Sequence, residues 1–458
     1  MHELPQHIHI IGIAGKGMSA LALLLRESGC TVTGSDAGAF DPIKGLLEKK
    51  NISFAKNYVA ENIPAETELI VIGKHAKLVV GNPEVDAAIA SGVPITSMAK
   101  LLGEITHHRE TVVVAGSYGK STCTTLISFI LDHAGKDIGY FIGALPYDFD
   151  THARLGSEKL FIAEGDEYPS ANFDTTSKFL YLHPAHLLLT SAEHDHMTVF
   201  PTIDDYHEPY KKLLEKMSSH TTVAGCSDNP HVSILLEKSG KQFTTYSLND
   251  TSSWHARNIV YGEITTFDIY KGEEKILSSS TQLLGTYNIQ NIIGVVALLI
   301  ENNLLEPGAI SRVLPEFSGV HGRLDKVNNN PVTYEAYGSS YTKAKSAIQA
   351  MKLHFPNKKL RIIFEPHTFT WRDPSQRDNY KNVFDDAESV ILFPTPGSHG
   401  KSSAGQLTMK DIHEAIQTPT TIADDAQDAL HLLRVDLSED DVVLLITSGD
   451  MSEIKTGL

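Results

Sequence analysis

Short apolar runs alternate along this chain with longer segments whose apolar positions recur every three to four residues. The first pattern predicts strands buried on both faces and the second amphipathic helices, so the chain reads as parallel sheets built from strand–helix–strand units. HIHIIGI at 7–13 is the first strand and GKGMSALALLLRES the helix behind it; TVTGSD, DPIKGLLEKK, ELIVIG, NPEVDAAIASG, VPITS and AKLLGEI continue the alternation and close a unit near residue 108. TVVVAGS opens a second unit that runs to about residue 320 and includes a less regular, strand-rich stretch over 243–280. A third begins around GVHGRLD and holds the strands LRIIFEP, SVILFP and DVVLLITSG with the helix YKNVFDDA. The expected architecture is α/β with three domains, residues 1–108, 109–320 and 321–458. No internal repeat or low-complexity tract competes with it.

Composition narrows the chemistry. The chain has 458 residues, too many for one core, and a formal charge of -17 that opposes binding to nucleic acid or an anionic membrane. Small molecules are therefore the expected partners. Three cysteines, Cys30, Cys123 and Cys226, lack paired spacing, which argues against a disulfide framework or a zinc site and suits a reducing, cytoplasmic setting. No apolar run reaches the roughly 18 residues of a membrane span.

One heptapeptide occurs in two versions, GSYGKST at 116–122 and GSHGKSS at 397–403. A phosphate loop needs backbone N–H groups at a strand-to-helix turn, the helix dipole and a lysine. The first copy has all of these: a β-branched strand, Gly116 and Gly119, Lys120, and a helix beginning at once. The second follows Pro394 and Pro396 and has no helix directly behind it, so it reads as a flexible loop with Lys401 near a substrate carboxylate. Downstream, FIAEGDEYPSANFD ends a strand in Glu164, Asp166 and Glu167, and LLLTSAEHDHMTVF ends another in Glu193, His194, Asp195 and His196. Carboxylates and a histidine around a triphosphate suit Mg²⁺, which takes oxygen ligands and shares them with phosphates. Near the N-terminus, Gly12, Gly15 and Gly17 lie between strand and helix with Asp36 at the next strand end, a pattern open to NAD or to a nucleotide-sugar diphosphate. Its order, Gly-x-x-Gly-x-Gly, is not the dinucleotide order.

Taken together these segments resemble the Mur ligase family, ATP-dependent enzymes that extend UDP-N-acetylmuramate. GIAGKGMSALA with TGSDA resembles the N-terminal UDP-sugar domain, AGSYGKST the ATP loop, EGDEY and EHDHMTVF the metal motifs, GTYNIQN the adenine segment, and FSGVHGRLD and FEPHTFT parts of the C-terminal domain. The resemblance implies a Rossmann-like UDP-binding domain, a central P-loop ATPase-like domain and a Rossmann-like C-terminal domain. It also implies ATP and Mg²⁺ as cofactors. By the same resemblance, Gly116, Ser117, Gly119, Lys120, Ser121, Thr122, Asn288, Asn291 and Arg323 hold the nucleotide, and Ser121, Glu167 and His196 the metal. Lys120, Glu167, His196 and Arg323 are the expected catalytic set. Gly12, Gly15, Gly17, Met18, Asp36, Asn82 and His367 fall to the substrates, although Asn82 before Pro83 equally reads as a helix start.

YFIGALPYDFDTHARLG and DEYPSANFDTTSKFLYLHP are most similar to the branch that joins L-alanyl-γ-D-glutamyl-diaminopimelate to UDP-N-acetylmuramate; the L-alanine-adding branch is its near neighbour. The chain departs from the family pattern at Tyr118 and Tyr287, where histidines are usual. EAYGSSY at 335–341 puts Ala336 in place of an aspartate expected on the ATP ribose, and Ser339 and Ser340 in place of two histidines. Glu335 is then the expected replacement. Where many relatives have a carbamylated lysine, the matching position is Tyr210, with Lys211 one place away. These substitutions keep open a second reading, a homologue that binds ATP and a cell-wall precursor without ligating them.

Overall fold

Strand His7–Ile11 (β1) is apolar at its last four positions except for His9, and all four are buried. The computed structural model describes every residue except 1–3, 40, 250, 251, 395–404 and 436. The second copy of the glycine–lysine heptapeptide, with Lys401, lies outside the described residues. Around β1 stand Thr31–Ser35 (β2), Ser53–Ala55 (β3), Leu69–Ile72 (β4) and Ile95–Thr96 (β5), all parallel, in the order β3-β2-β1-β4-β5. Helix Lys16–Glu27 buries every residue from Met18 to Leu25, and each of its leucines contributes about 1.5–3 kcal/mol by leaving water. His9 is the polar exception in this core. Its Nδ1 lies 2.8 Å from Thr33 Oγ1 and its Nε2 2.9 Å from Glu84 Oε1, so both buried polar side chains are satisfied.

Ten strands form the central sheet: Glu110–Ala115 (β6), Gly139–Phe141 (β7), Ala153–Arg154 (β8), Leu160–Gly165 (β9), Pro184–Leu189 (β10), Thr222–Cys226 (β11), Thr244–Tyr246 (β12), Trp254–Val260 (β13), Thr265–Lys271 (β14) and Glu274–Thr281 (β15). Their order is β15-β14-β13-β12-β11-β10-β6-β9-β7-β8, so the irregular stretch over 243–280 continues the same sheet. The third sheet comprises Arg323–Asn329 (β16), Val332–Tyr337 (β17), Lys359–Phe364 (β18), Ser389–Leu392 (β19), Thr420–Ile422 (β20) and Asp441–Thr447 (β21), ordered β16-β17-β21-β18-β19-β20. Among the described residues, only the β16–β17 pairing in this sheet is antiparallel. The three-sheet α/β class expected from the alternation is the observed one. The helix YKNVFDDA is shorter than its pattern suggested, covering Tyr380–Val383.

By contact density the chain divides into two units. The first comprises Met1–Asn258, Phe267–Ser279 and Ile289–Val320; the second comprises Ile259–Thr266, Ser280–Asn288 and His321–Leu458. In the second, His354 at the end of helix Tyr341–His354 lies 2.7 Å from Gly262 O through Nδ1 and accepts from Gly285 N at 2.7 Å through Nε2. Within the first, buried His152 sits against the opening turn of helix Lys16–Glu27, its Nε2 3.0 Å from both Lys16 O and Ser19 Oγ.

Burial depresses the His152 imidazole to about 4, against the smaller opposing effect of its bond to Lys16 O. The unfolded chain, with an ordinary value near ~6.5, binds a proton that the fold refuses between these limits. The resulting stability is complete above about pH 6.5 and is lost as pH falls toward 4. In urea unfolding, the wild type is expected to lose about 2 kcal/mol more than His152→Asn on going from pH 7 to pH 5. Equal losses in the two proteins would contradict this.

Candidate active site

Strand β6 lies between β9 and β10 and runs parallel to both, so the three carboxyl ends meet at one edge of the central sheet. Ligands of open α/β sheets bind at such edges. At the end of β6 the chain turns through Gly116 (φ +144°) and Gly119 (φ +83°), and helix Lys120–His133 starts on Gly119 with no side-chain cap. An uncapped first turn presents its N–H groups and the positive end of the dipole to an anion. Both glycines are needed for close approach: a Cβ on Gly119 would stand 2.6 Å from Asn291 Oδ1, and one on Gly116 would meet Ser191 N at 2.8 Å. The loop is fastened from the end of β10, where Tyr118 N donates to Ser191 Oγ at 2.8 Å and Thr190 Oγ1 to Tyr118 O at 2.5 Å.

Lys120 reaches back over this loop. Its Nζ donates to Gly116 O at 2.6 Å and to Glu167 Oε2 at 2.8 Å. Burial works against its charge, but Glu167 and then Asp166 outweigh that and push the ammonium's pKa up. Ser121 Oγ donates to Glu164 Oε1 at 2.9 Å, and Gly143 N to Glu164 Oε2 at 2.8 Å. Burial raises the Glu164 carboxyl above the ordinary range. Glu167 is 1% exposed, and its Oε1 lies 3.6 Å from His196 Nε2. His196 itself holds a left-handed backbone, φ +55°, uncommon for any residue with a side chain. Thr122 is buried in the first turn of the helix.

Helix Ile203–Lys216 opens on a capping box of Thr202 and Asp205 and adds a residue that the linear pattern did not disclose. Tyr206 OH lies 2.8 Å from Ser117 Oγ, 3.0 Å from Glu167 Oε1 and 3.2 Å from Tyr210 OH. Tyr210 is buried at 1% exposure, whereas Lys211 is in a surface contact with Glu208. Of the two, Tyr210 is the residue turned inward, beside Tyr206.

The N-terminal loop forms a second anion-ready turn. Gly12 has φ +85°, Gly15 precedes helix Lys16–Glu27 without a side-chain cap, and Asp36 Oδ2 accepts from Ala14 N at 3.0 Å. Tyr58 OH donates to Asp36 Oδ1 at 3.3 Å, and burial, with the Asp36 charge second, pushes its hydroxyl up to about 12. Met18 is buried behind the turn. Asn82 is engaged as a helix cap: its Oδ1 accepts from Glu84 N and Val85 N, and its Nδ2 donates to Lys77 O at 3.0 Å. A cavity of about 230 Å³ lies between Gly17 at the start of the first helix and the acidic end of β9, lined among others by Met98, Phe141, Glu164, Asp166 and Lys178.

The other expected site residues, apart from Asn291, belong to the second unit. Asn288 Nδ2 donates to Leu284 O at 2.8 Å at the start of helix Thr286–Glu301. Arg323 opens β16 and is exposed. Glu335 is ion-paired with Lys455 at 3.0 Å. His367 Nδ1 lies 3.1 Å from the fully buried Glu365, just past the carboxyl end of β18.

Among the described residues, no group of three or more His, Cys, Asp or Glu is placed to hold a metal by itself. The oxygen-rich set of Ser121, Glu164 and Glu167, with His196 beside it, suits an ion that completes its shell with phosphate oxygens.

Two family models match the chain, the Mur ligase family catalytic domain over residues 7–110 and the Mur ligase middle domain over residues 114–299, together more than half of it. The chain belongs to the Mur ligase family. It is 27% identical to the UDP-N-acetylmuramate–L-alanine ligase of Chlorobium phaeobacteroides (strain BS1) across 98% of this Mur ligase and 96% of that protein. The crystal structure of UDP-N-acetylmuramate–alanine ligase from Thermotoga maritima superposes with a TM-score of 0.78 at 21% identity, covering 98% of this chain and 97% of that one. The UDP-N-acetylmuramate:L-alanyl-γ-D-glutamyl-meso-diaminopimelate ligase from Neisseria meningitidis matches at 27% identity with a TM-score of 0.63, covering 69% of this Mur ligase and 99% of that chain. Among the described residues no helix is long and apolar enough to cross a membrane.

Proposed function

We propose that this Mur ligase uses ATP to join an amine, either L-alanine or L-alanyl-γ-D-glutamyl-diaminopimelate, to the carboxylate of UDP-N-acetylmuramate. The observation that carries the reading is the convergence of Lys120, Ser121, Glu164, Glu167 and His196 on an uncapped helix start, with a cavity leading from that corner to the N-terminal glycine turn. The sugar nucleotide's diphosphate belongs on Gly12, Gly15 and Gly17, beside Asp36, and the ATP phosphates on Gly116–Thr122.

A carboxylate oxygen of the sugar's acid attacks the γ-phosphorus, the bond to ADP breaks, and an acyl phosphate results. The amine nitrogen then bonds to the carbonyl carbon, inorganic phosphate leaves with the C–O electron pair, and the nitrogen gives up a proton. Phosphoryl transfer of this kind is accelerated by positioning and charge neutralisation. Lys120 lies across the loop to neutralise the β- and γ-phosphates. Ser121, Glu167 and His196 are the residues to hold Mg²⁺, which supplies further charge neutralisation when bound. Tyr206 fixes Glu167 and Ser117 relative to each other. Asn288 and Asn291 are assigned to adenine, Arg323 to phosphate and His367 to the amine-bearing substrate.

A second reading, binding of ATP and precursor without ligation, is favoured by Ala336, Ser339 and Ser340 and by the Lys455 ion pair that already engages Glu335. Phosphate release from ATP and Mg²⁺ separates the two. Release that requires UDP-N-acetylmuramate together with L-alanine or with the tripeptide supports ligation and names the amine. ATP binding with no release under either condition supports the second reading.

A further inference from the structure

Glu365 is a buried carboxylate that none of the roles above uses. It directly follows β18, and its side chain is fully buried. Strand β21 lies between β17 and β18 and runs parallel to both, so three carboxyl ends meet at one edge, and Glu365 stands there. Its Oε1 lies 3.1 Å from His367 Nδ1, and its Oε2 accepts from Thr447 Oγ1. Among the described residues, His367 is the one group within ion-pair distance of this carboxylate that can carry a positive charge.

The loop that carries His367 is fastened to the segment behind β17. Thr368 Oγ1 donates to Ser339 O at 2.9 Å, and Trp371 Nε1 to Gly338 O at 2.6 Å. Gly449 makes the space for the pair: a Cβ there would stand 2.5 Å from His367 Nδ1 and 2.6 Å from Glu365 Oε2. A second histidine–glutamate pair in this chain, His9 with Glu84, shows what a purely structural one looks like. Both of its side chains are fully buried, and the other ring nitrogen of His9 is taken by Thr33. The His367 side chain is instead 23% exposed, at a strand edge of the kind where ligands of α/β sheets bind.

We infer that His367, oriented by Glu365, removes the proton from the incoming amine. This rests on the ligase reading above, in which an amine that arrives as an ammonium ion must become a neutral nucleophile before it attacks the acyl phosphate. An ionised carboxylate can only accept, so Nδ1 carries the ring hydrogen and Nε2 the lone pair. Nε2 takes the proton, the electrons of the broken N–H bond stay on the amine nitrogen, and the imidazolium that forms lies against the Glu365 carboxylate, which stabilises it. His367 is the catalytic base in this step, and Glu365 is a positioning residue that acts through it.

The test compares two kinds of nucleophile on the wild type, Glu365→Gln and His367→Asn, each with ATP, Mg²⁺ and UDP-N-acetylmuramate. L-alanine and the tripeptide arrive protonated at neutral pH, whereas hydroxylamine does not, and it captures the acyl phosphate as a hydroxamate without needing a base. In both variants kcat/KM for the amine is expected to fall by ~10²-fold or more at pH 7, the lower end of what general base catalysis contributes, while hydroxamate formation stays within ~3-fold of the wild type. Retained hydroxamate formation also shows that the variants are folded. Amide formation by the variants should recover as the pH rises and solution removes the proton instead. Hydroxamate and amide formation that fall together would assign the pair to folding or to phosphoryl transfer and overturn the inference. So would an unchanged rate with the amine, a loss that higher pH does not restore, or a wild type that forms the hydroxamate but joins neither amine. A wild type that forms no hydroxamate overturns the ligase reading itself, and the proton transfer with it.

Discussion

Lys120→Ala is expected to reduce acceptor-dependent ADP formation by about 10³-fold, the scale on which a single preorganised charge acts in phosphoryl and acyl transfer. The residue bridges the loop carbonyl at Gly116 and the buried Glu167, so its removal has a second effect. Glu167, 1% exposed, is left without its cation, and breaking a buried pair from one side destabilises by about 3–5 kcal/mol. Steady-state kinetics and thermal unfolding of the same variant should therefore both change. A loss of activity below 10-fold, with the fold intact, would remove Lys120 from the catalytic role proposed for it.

Gly116→Ala is expected to disable the phosphate loop by geometry alone. At φ +144° an L-residue is strained, and the added methyl would meet the Thr190 hydroxyl, Ser191 N at 2.8 Å and Ser191 O at 2.9 Å. Backbone atoms cannot swing aside as a flexible side chain can, so the loop must shift. Overpacking of this kind costs about 1–3 kcal/mol, and a displaced loop no longer directs its N–H groups at a phosphate. ATP affinity should fall by ~10-fold or more, as checked by titration of a fluorescent ATP analogue. Unchanged affinity would show that the nucleotide is held elsewhere.

The parts of this site that were legible in the sequence are those whose chemistry is local. Gly116–Thr122 announces itself because strand, glycines, lysine and helix are consecutive, and Glu164, Glu167 and His196 because they lie in acidic, and in one case histidine-bearing, runs at or just behind the ends of apolar strands. The three-sheet fold was legible for the same reason: strand and helix periodicities alternate in order. Tyr206 was not legible as a site residue, since nothing in its neighbourhood marks it. Tyr206 acts through Ser117, 89 positions away, and helix packing alone brings the two together. Asn82 could be read either way until its side chain was found on Glu84 N and Val85 N. The ion pair of Glu335 with Lys455, 120 positions downstream, had no signal in the sequence.

The bonding of His354 has a consequence for how the protein is made. Its ring joins Gly262 and Gly285, in two segments that leave the ribosome well before residue 354 does. At roughly 5–20 residues per second, these segments wait several seconds for the imidazole that binds them. During that interval Leu284, buried in the finished fold among side chains from residues 324–446, lacks that cover. In nascent chains stalled between residues 290 and 350, Gly262 O and Gly285 N are still without the imidazole that joins them in the finished fold.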